Sequence, residues 1–440
     1  MKKLIVTGVL LIGLATGLKA QYVLREADTE FNRFHYKKAA VLYERAYKKK
    51  ATRYAAGRLG DCYRLNLDDV EAEAWYAIAS KGEAAKPDMV LQYADVLRRN
   101  AKYPEAKQQY ERYAGNADVK SRILSCDTAQ AWVTQPSAHR VSNVKELNTS
   151  ASDWAPVIYD GQVVLASDRG VGDELAARKG LLRFGRDRRP DTREDGWTGN
   201  NYMHLLYQNT AEKVKEFPLE ADTRYHVGPA SFSLDDEMFF ARTYVSTRLT
   251  GRMTTIRLEI FSSKKDAAGR WGKPQAFAYN KPDLYSVGDP FITFDGKTLY
   301  FSSDMPGGKG GMDIYKCVRK EDGSWSAPEA VNAVNTPGNE RTPAMASGVF
   351  YFSSDGYIGL GGLDIMRLSP GAAVPQNMGV PVNSSRDDFA CALWPWGRSP
   401  ICPPTAQAGR AKTMYTPWSI RSCRHRHHLS ARFRQHRHRP

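Results

Sequence analysis

The chain has 440 residues, 42% of them hydrophobic and 25% charged, and carries a formal net charge of +15. That length admits two or three domains with a substantial core. The charge does not make a nucleic-acid binder: ten cations and no acid lie within 391–440, and Lys2, Lys3 and Lys19 add three more. Little excess is left between them from which to build a basic stripe.

Residues 1–20 read as a secretory signal peptide. Lys2 and Lys3 form a positive start, an apolar run follows from Leu4 to Leu18, and Ala20 suits the last position before cleavage. Interrupted by Gly8, Gly13 and Gly17, the run is short for a bilayer span. Removal is therefore expected, an uncleaved anchor being the alternative, with no transmembrane span left afterwards. The destination is the periplasm or the inner face of an outer membrane.

Residues 22–135 read as helical repeats. A small residue, an aromatic four on, and Ala or Tyr three further recur as Ala39-Tyr43-Ala46, Ala72-Tyr76-Ala79 and Ala106-Tyr110-Tyr113. The central tyrosines are 33 and then 34 residues apart. Such a period marks paired helices that bury their apolar stripes only by stacking. Leu59, Gly60 and Tyr63 supply the first-helix pattern of the middle unit, and Asp118 to Val133 reads as a capping helix. These landmarks resemble the tetratricopeptide repeat, most closely in the middle unit; the first has Glu26-Ala27 where Leu-Gly is expected. The resemblance implies a concave groove for peptides or partner proteins; a bracing role for the next domain stands equally open.

Past Gln135-Pro136 the texture changes to short β-prone runs punctuated by Gly, Asn, Asp and Pro. Over 140–390 a unit recurs that opens with Pro156, Pro229, Pro290 or Pro343. Each is followed by a strand expected to end in a small-polar cluster: Ala166-Ser167-Asp168-Arg169, Phe240-Ala241-Arg242, Phe301-Ser302-Ser303-Asp304 and Phe352-Ser353-Ser354-Asp355. Two units then carry a Gly-rich turn into another strand. One has Gly307, Gly308, Gly310, Gly311, Asp313 and Tyr315; the other has Gly361, Gly362 and Asp364. The glycines permit positive φ in tight loops, and the aspartates suit capping of loop N–H groups. Repeats of about fifty residues, each with about four short strands, point to a β-propeller.

The blade pattern resembles the WD-repeat-like propeller of TolB-type periplasmic proteins. With a signal peptide and tetratricopeptide repeats ahead of it, the chain is similar to OmpA-family envelope proteins of Bacteroidetes, including the peptidoglycan-linking subunit of type IX secretion. The resemblance covers residues 1–390. It implies partners among envelope or secretion proteins, and peptidoglycan association in a longer parent.

Residues 391–440 break the pattern. Asn383 to Ala390 fits the opening of a fifth blade, yet the tail that follows has no acidic residue and ends in an Arg/His-rich run. Permitted codons for Ile401 to Tyr415, read one base earlier, give Tyr-Leu-Pro-Ser-Asn-Arg-Pro-Gly-Gly-Pro-Gly-Glu-Asp-Asp-Val-Tyr, which is the missing blade motif near its expected place. The tail is accordingly expected to be out of frame and disordered.

Six cysteines, at 62, 126, 317, 391, 402 and 423, form no metal-type pair. A Cys62–Cys126 bridge and two buried thiols are both open. Lys309 among its glycines leads into a strand, whereas a phosphate loop leads into a helix. Asp304 and Asp313 suit loop capping better than Ca²⁺, and the tail histidines look like an adventitious tag. No HExxH or GxSxG occurs. The expectation is an α+β multidomain protein, a tetratricopeptide α-solenoid followed by an incomplete all-β propeller. It is expected to lack enzymatic activity and cofactors, and its partner-binding residues are not assigned.

Overall fold

The computed structural model describes residues 21–389, apart from 83–84, 113–116, 140, 142–146, 148, 170–189, 191–193, 209–213, 222–223 and 251–252. The expected signal peptide, Tyr113 and the whole of 391–440, with Cys391, Cys402, Cys423 and the tail histidines, lie outside the described residues. Two compact units result. One comprises the described residues up to Gln130 together with Glu194–Asn200; the other begins at Ala131 and omits that segment.

Among the described residues there are seven helices: α1 (residues 21–32), α2 (Tyr36–Lys49), α3 (Arg53–Leu65), α4 (Asp69–Ala79), α5 (Pro87–Arg99), α6 (Tyr103–Glu111) and α7 (Ala117–Thr134), all in the first unit but for the last four residues of α7. Local chemistry sets several of their ends. Thr52 accepts from the Ala55 amide at 3.1 Å to start α3, and Asp68 accepts from Glu71 at 3.3 Å to start α4. Pro87 opens α5, where its missing N–H costs nothing.

Three turns between paired helices share one geometry. Phe34, Leu67 and Ala101 take left-handed φ of 64°, 57° and 59°. The next amide in each reaches back five residues: His35 to the Glu30 carbonyl at 3.0 Å, Asp68 to Tyr63 at 2.9 Å, and Lys102 to Leu97 at 2.9 Å. That is the Schellman closure, built here without glycine.

The aromatic landmarks form the core of this unit. Tyr43, Tyr76 and Tyr110 are fully buried, as are Ala39, Ala72, Ala79 and Ala106. Burying each such ring contributes on the order of 2 kcal/mol. Gly60 is required by the close approach: a Cβ there would sit 2.6 Å from Cδ1 of Tyr76.

Among its described residues the second unit holds sixteen strands in four antiparallel sheets, each a simple meander. Sheet one is β1 (Asp153–Tyr159), β2 (Gln162–Ser167), β3 (His204–Gln208) and β4 (Lys215–Glu216). Sheet two is β5 (Val227–Phe232), β6 (Glu237–Thr250), β7 (Met253–Lys264) and β8 (Gln275–Ala276). Sheet three is β9 (Val287–Ile292), β10 (Thr298–Ser303), β11 (Asp313–Val318) and β12 (Glu329–Ala330). Sheet four is β13 (Glu340–Ala346), β14 (Val349–Ser354), β15 (Asp364–Leu368) and β16 (Gln376–Asn377). Successive first strands are neighbours, which makes the unit a propeller-like arrangement of four blades.

One strand departs from the expected pattern. β6 does not end at Phe240-Ala241-Arg242 but runs to Thr250, paired with β7 through Thr243↔Leu258 and Val245↔Ile256. Thr243, Tyr244 and Val245 favour extended backbone, and no Gly or Asp follows Arg242 to turn the chain.

Tryptophan fills the gaps between blades. Trp271 of sheet two meets Tyr159 and Phe217 of the first blade at ring distances of 5.6 Å, and Trp325 of sheet three meets Phe239 of sheet two at 5.8 Å. The first and last described segments of the unit also touch. The Ser137 amide donates to the Val380 carbonyl at 2.7 Å, and the Trp154 and Phe389 rings are 5.5 Å apart.

Candidate functional site

Each blade begins with the same backbone device. Ala155, Gly228, Asp289 and Thr342 all have positive φ and all precede a proline, respectively Pro156, Pro229, Pro290 and Pro343. The pairing with the second strand shifts register at that place in every sheet. These are β-bulges, which re-aim a strand and interrupt its ladder. The four prolines, with Phe232 and Phe291, line a shared depression where the first strands converge. Asp289 is the acid in its wall.

Asp289 and Arg341 are both buried, and Arg341 Nη2 donates to Asp289 Oδ1 at 2.8 Å while its Nε donates to Oδ2. Burial pushes the Asp289 carboxyl up, but the adjoining guanidinium outweighs burial and holds it below the usual carboxylate range. The pair therefore fixes blade three to blade four as ions.

A second repeated device anchors the loop that leads into a blade. The Thr336 amide and hydroxyl donate to Glu340 at 2.9 and 2.6 Å, and Ser354 of β14 donates to it at 2.6 Å. Thr149 makes the same pair of bonds to Asp153 at 2.8 and 2.7 Å, and Ser167 donates to it at 2.6 Å. Ser384 and Asp388 repeat the first half, with the hydroxyl bond at 2.9 Å. Asp153 also has Arg169 beside it, whereas Glu340 has Asp355. Burial, with Asp355 adding to it, pushes the Glu340 carboxyl up to about 7 against the bonds from Ser354 and Thr336.

The Gly-rich residues singled out in the sequence are brought together as loop scaffolding. Asp313 accepts from the Gly310 amide at 3.0 Å, and Asp364 from Leu360 at 2.7 Å. Asp304 accepts from Ser286 at 2.6 Å. A Cβ at Gly308 would lie 2.0 Å from Asp313, at Gly310 2.1 Å from the Gly338 carbonyl, at Gly311 2.3 Å from Asn339, and at Gly361 1.7 Å from the Ser385 carbonyl. Gly307 has φ of +99°, Gly362 is half-buried, and Tyr315 stacks on Phe301 at 6.0 Å. Lys309 donates to the carbonyls of Asn332 at 2.8 Å and Asn335 at 3.2 Å. Its loop feeds strand β11, so it has neither the helix nor the orientation of a phosphate loop.

In the helical unit the sequence landmarks prove to be half of a polar network. Tyr43, Tyr76 and Tyr110 donate to Asp28, Asp61 and Asp95 at 2.5, 2.7 and 2.6 Å. Arg58 reaches Tyr43 at 3.4 Å and Asp61 at 3.2 Å, Arg64 reaches Tyr76 at 3.1 Å, and Arg122 pairs with Asp95. Tyr63 instead donates to Glu44 at 2.6 Å. Arg58, Asp61, Asp95 and Arg122 remain partly exposed, so one edge of the network faces solvent. The three aspartates had a signal of their own: a small residue followed by Asp at Ala27-Asp28, Gly60-Asp61 and Ala94-Asp95, with the 33- and 34-residue period.

Cys62, Cys126 and Cys317 are free, buried thiols, which answers the pairing left open above. Among the described residues no group of three or more His, Cys, Asp or Glu is placed to hold a metal ion. No described helix is long and apolar enough to cross a membrane.

No family model and no curated protein matches the sequence. Among solved structures the chain resembles TolB from Acinetobacter baumannii, at 17% identity over 43% of this chain and 40% of that one, with a TM-score of 0.28. It also resembles a puromycin hydrolase, at 11% identity over 57% and 42% with a TM-score of 0.29. A prolyl oligopeptidase B from Galerina marginata follows at 12% identity over 63% and 44%, TM-score 0.24. The chain spans less than half the length of each. Superpositions this partial carry no argument about activity, and the class of the chain rests on its own topology: seven helices followed by four propeller-like blades.

Proposed function

We propose that the protein is a non-enzymatic scaffold of the bacterial envelope that docks protein partners of an envelope or secretion machine of the type IX kind. Its helical unit is read as tetratricopeptide repeats, and the whole as an exported, OmpA-family-like chain residing in the periplasm against the outer membrane. Peptidoglycan attachment belongs in this reading to a longer parent. The observation that supports it best is the Asp–Tyr–Arg network on successive helix pairs. A partner lying along those pairs would meet a partly exposed carboxylate and guanidinium at Asp61–Arg58 and again at Asp95–Arg122. Such groups fix register and orientation more than raw affinity.

The test is in-cell cross-linking of the full chain in envelope fractions, followed by measurement of secreted cargo in a deletion strain. Arg58→Gln with Arg122→Gln should lose the cross-linked partners, with circular dichroism confirming that the protein stays folded, and deletion should reduce secretion. Normal secretion in the deletion strain would remove the secretion role. A second reading, a peptide- or glycan-binding module, is favoured only by the proline- and phenylalanine-lined depression of the blades. Binding of a proline-rich peptide or an oligosaccharide that Phe291→Ala abolishes would support it.

A further inference from the structure

Residues Glu194–Asn200 belong to the helical unit although they lie between β2 and β3 in sequence. Trp197 at their centre is fully buried. Its ring lies parallel to Phe34, with centroids 6.3 Å apart and planes 9° apart, and edge-on to Tyr36 at 4.7 Å. The indole N–H donates to the Leu65 carbonyl at 2.9 Å. Leu65 is the last residue of α3, where helical carbonyls lose their own partners. The socket thus offers two aromatic walls and one acceptor, which fits an indole better than any other side chain.

The residues carrying the tryptophan are closed on themselves. The Asp195 amide donates to the Asn200 carbonyl at 2.8 Å, and Gly199 donates back to the Asp195 carbonyl at 2.7 Å. Thr198 donates to Asp195 Oδ2 from its amide at 3.3 Å and its hydroxyl at 3.2 Å, and itself accepts from Asn200 at 3.0 Å. A turn held by its own bonds is preorganised, and a lone buried aromatic at its tip is the form a binding anchor takes. Gly196 lets it seat, since a Cβ there would lie 2.3 Å from Cδ2 of His35.

We propose that the Phe34–Tyr36–Leu65 socket is a recognition site for a tryptophan-tipped turn, and that Glu194–Asn200 is its resident ligand. The socket shares its buried cluster with Tyr43, but its ligand is a turn of defined chemistry, so the proposal does not depend on the scaffold reading. An external turn of the same chemistry gains access only when the resident one leaves.

The test uses the full chain and a capped peptide, Glu-Asp-Gly-Trp-Thr-Gly-Asn, followed by calorimetry. Trp197→Ala vacates the socket, and Gly196→Ala unseats the turn while leaving every helix residue in place. The peptide should bind both variants at least tenfold more tightly than the wild type, and a peptide with Ala in place of Trp should bind none of them. Circular dichroism checks folding; should Trp197→Ala not fold, Gly196→Ala carries the comparison. Folded variants that bind the peptide no better than the wild type would overturn the proposal.

Discussion

Tyr76 donates its hydroxyl hydrogen to Asp61 at 2.7 Å, joining the second helix of a pair to the first, and its ring lies directly on Gly60. One side chain therefore fixes both the polar and the steric register of that pair. Tyr76→Phe should cost about 1 kcal/mol, the net worth of one hydrogen bond, because Arg58 still reaches Asp61. Asp61→Ala should cost more, about 1–3 kcal/mol, by leaving the buried Tyr76 O–H without its acceptor and Arg58 without its carboxylate. Urea unfolding followed at a helix wavelength checks both. Equal losses for the two variants would show that the hydroxyl, not the carboxylate, matters.

Gly60→Ala should destabilise the same unit by roughly 1–3 kcal/mol, since the Tyr76 ring must move to admit a methyl group. Ala101→Gly should act in the opposite sense. Ala101 sits at φ of 59°, where a Cβ is strained, so the glycine variant should gain about 0.5–1 kcal/mol despite its freer unfolded chain. Thermal melts of both proteins test the pair of signs.

Glu340 gives a pH dependence of unusual sign for a carboxylate. Its folded pKa, near 7, lies above the unfolded value of 4.5, so the folded state holds the proton more tightly. The contribution of this group to stability is full below pH 4.5 and is lost as pH rises through 7, by up to about 3 kcal/mol. Glu340→Gln should flatten the stability profile over that window. A wild-type profile indifferent to the substitution would contradict the assignment.

Arg341→Leu should cost about 3–5 kcal/mol, because Asp289 is left buried without its cation. Adding Asp289→Asn should restore part of that loss, since a neutral amide needs no cation, tolerates the positive φ and can still accept from Thr342. The double-mutant cycle in urea measures the recovery, and no recovery would mean that the ion pair holds more than its own charges.

The buried thiols should resist alkylation in the native protein. Burial pushes Cys126 up to about 11 and Cys317 up to about 12, and raises Cys62 as well. At pH 8 a thiol reagent should label none of the three within the time that labels all of them in guanidinium. Rapid native labelling at Cys317 would show that blade three opens readily.

The parts of this fold that repeat were legible because repetition survives without knowledge of contacts. The Ala-Tyr-Ala spacing marked the second helix of each pair, and the X-Pro steps marked the start of each blade. Asp28, Asp61 and Asp95 escaped notice because a partly exposed acid looks like any surface charge until its tyrosine partner, fifteen residues on, is seen. The end of β6 was misplaced because Phe240-Ala241-Arg242 copies the cluster of other blades without the residue that breaks the strand. Trp197 could not be assigned at all. Its partners Phe34, Tyr36 and Leu65 are more than 130 residues away, and no local pattern encodes so distant a contact.

The outermost strands are only two residues long, and side-chain amides complete the edge they leave uncovered. Asn280, Asn335 and Asn383 each accept from and donate to one isoleucine of the third strand, Ile260, Ile314 and Ile365, at 2.7–3.0 Å. An asparagine in this position imitates a peptide unit and, with the amides of Phe277, Val331 and Met378, satisfies the isoleucine groups that a further strand would need. In blades two to four the third strand is thereby closed by side chains rather than by a long fourth strand. A blade can therefore end in a very short strand without offering a long open ladder to a neighbouring chain, which lowers its tendency to grow into fibrils.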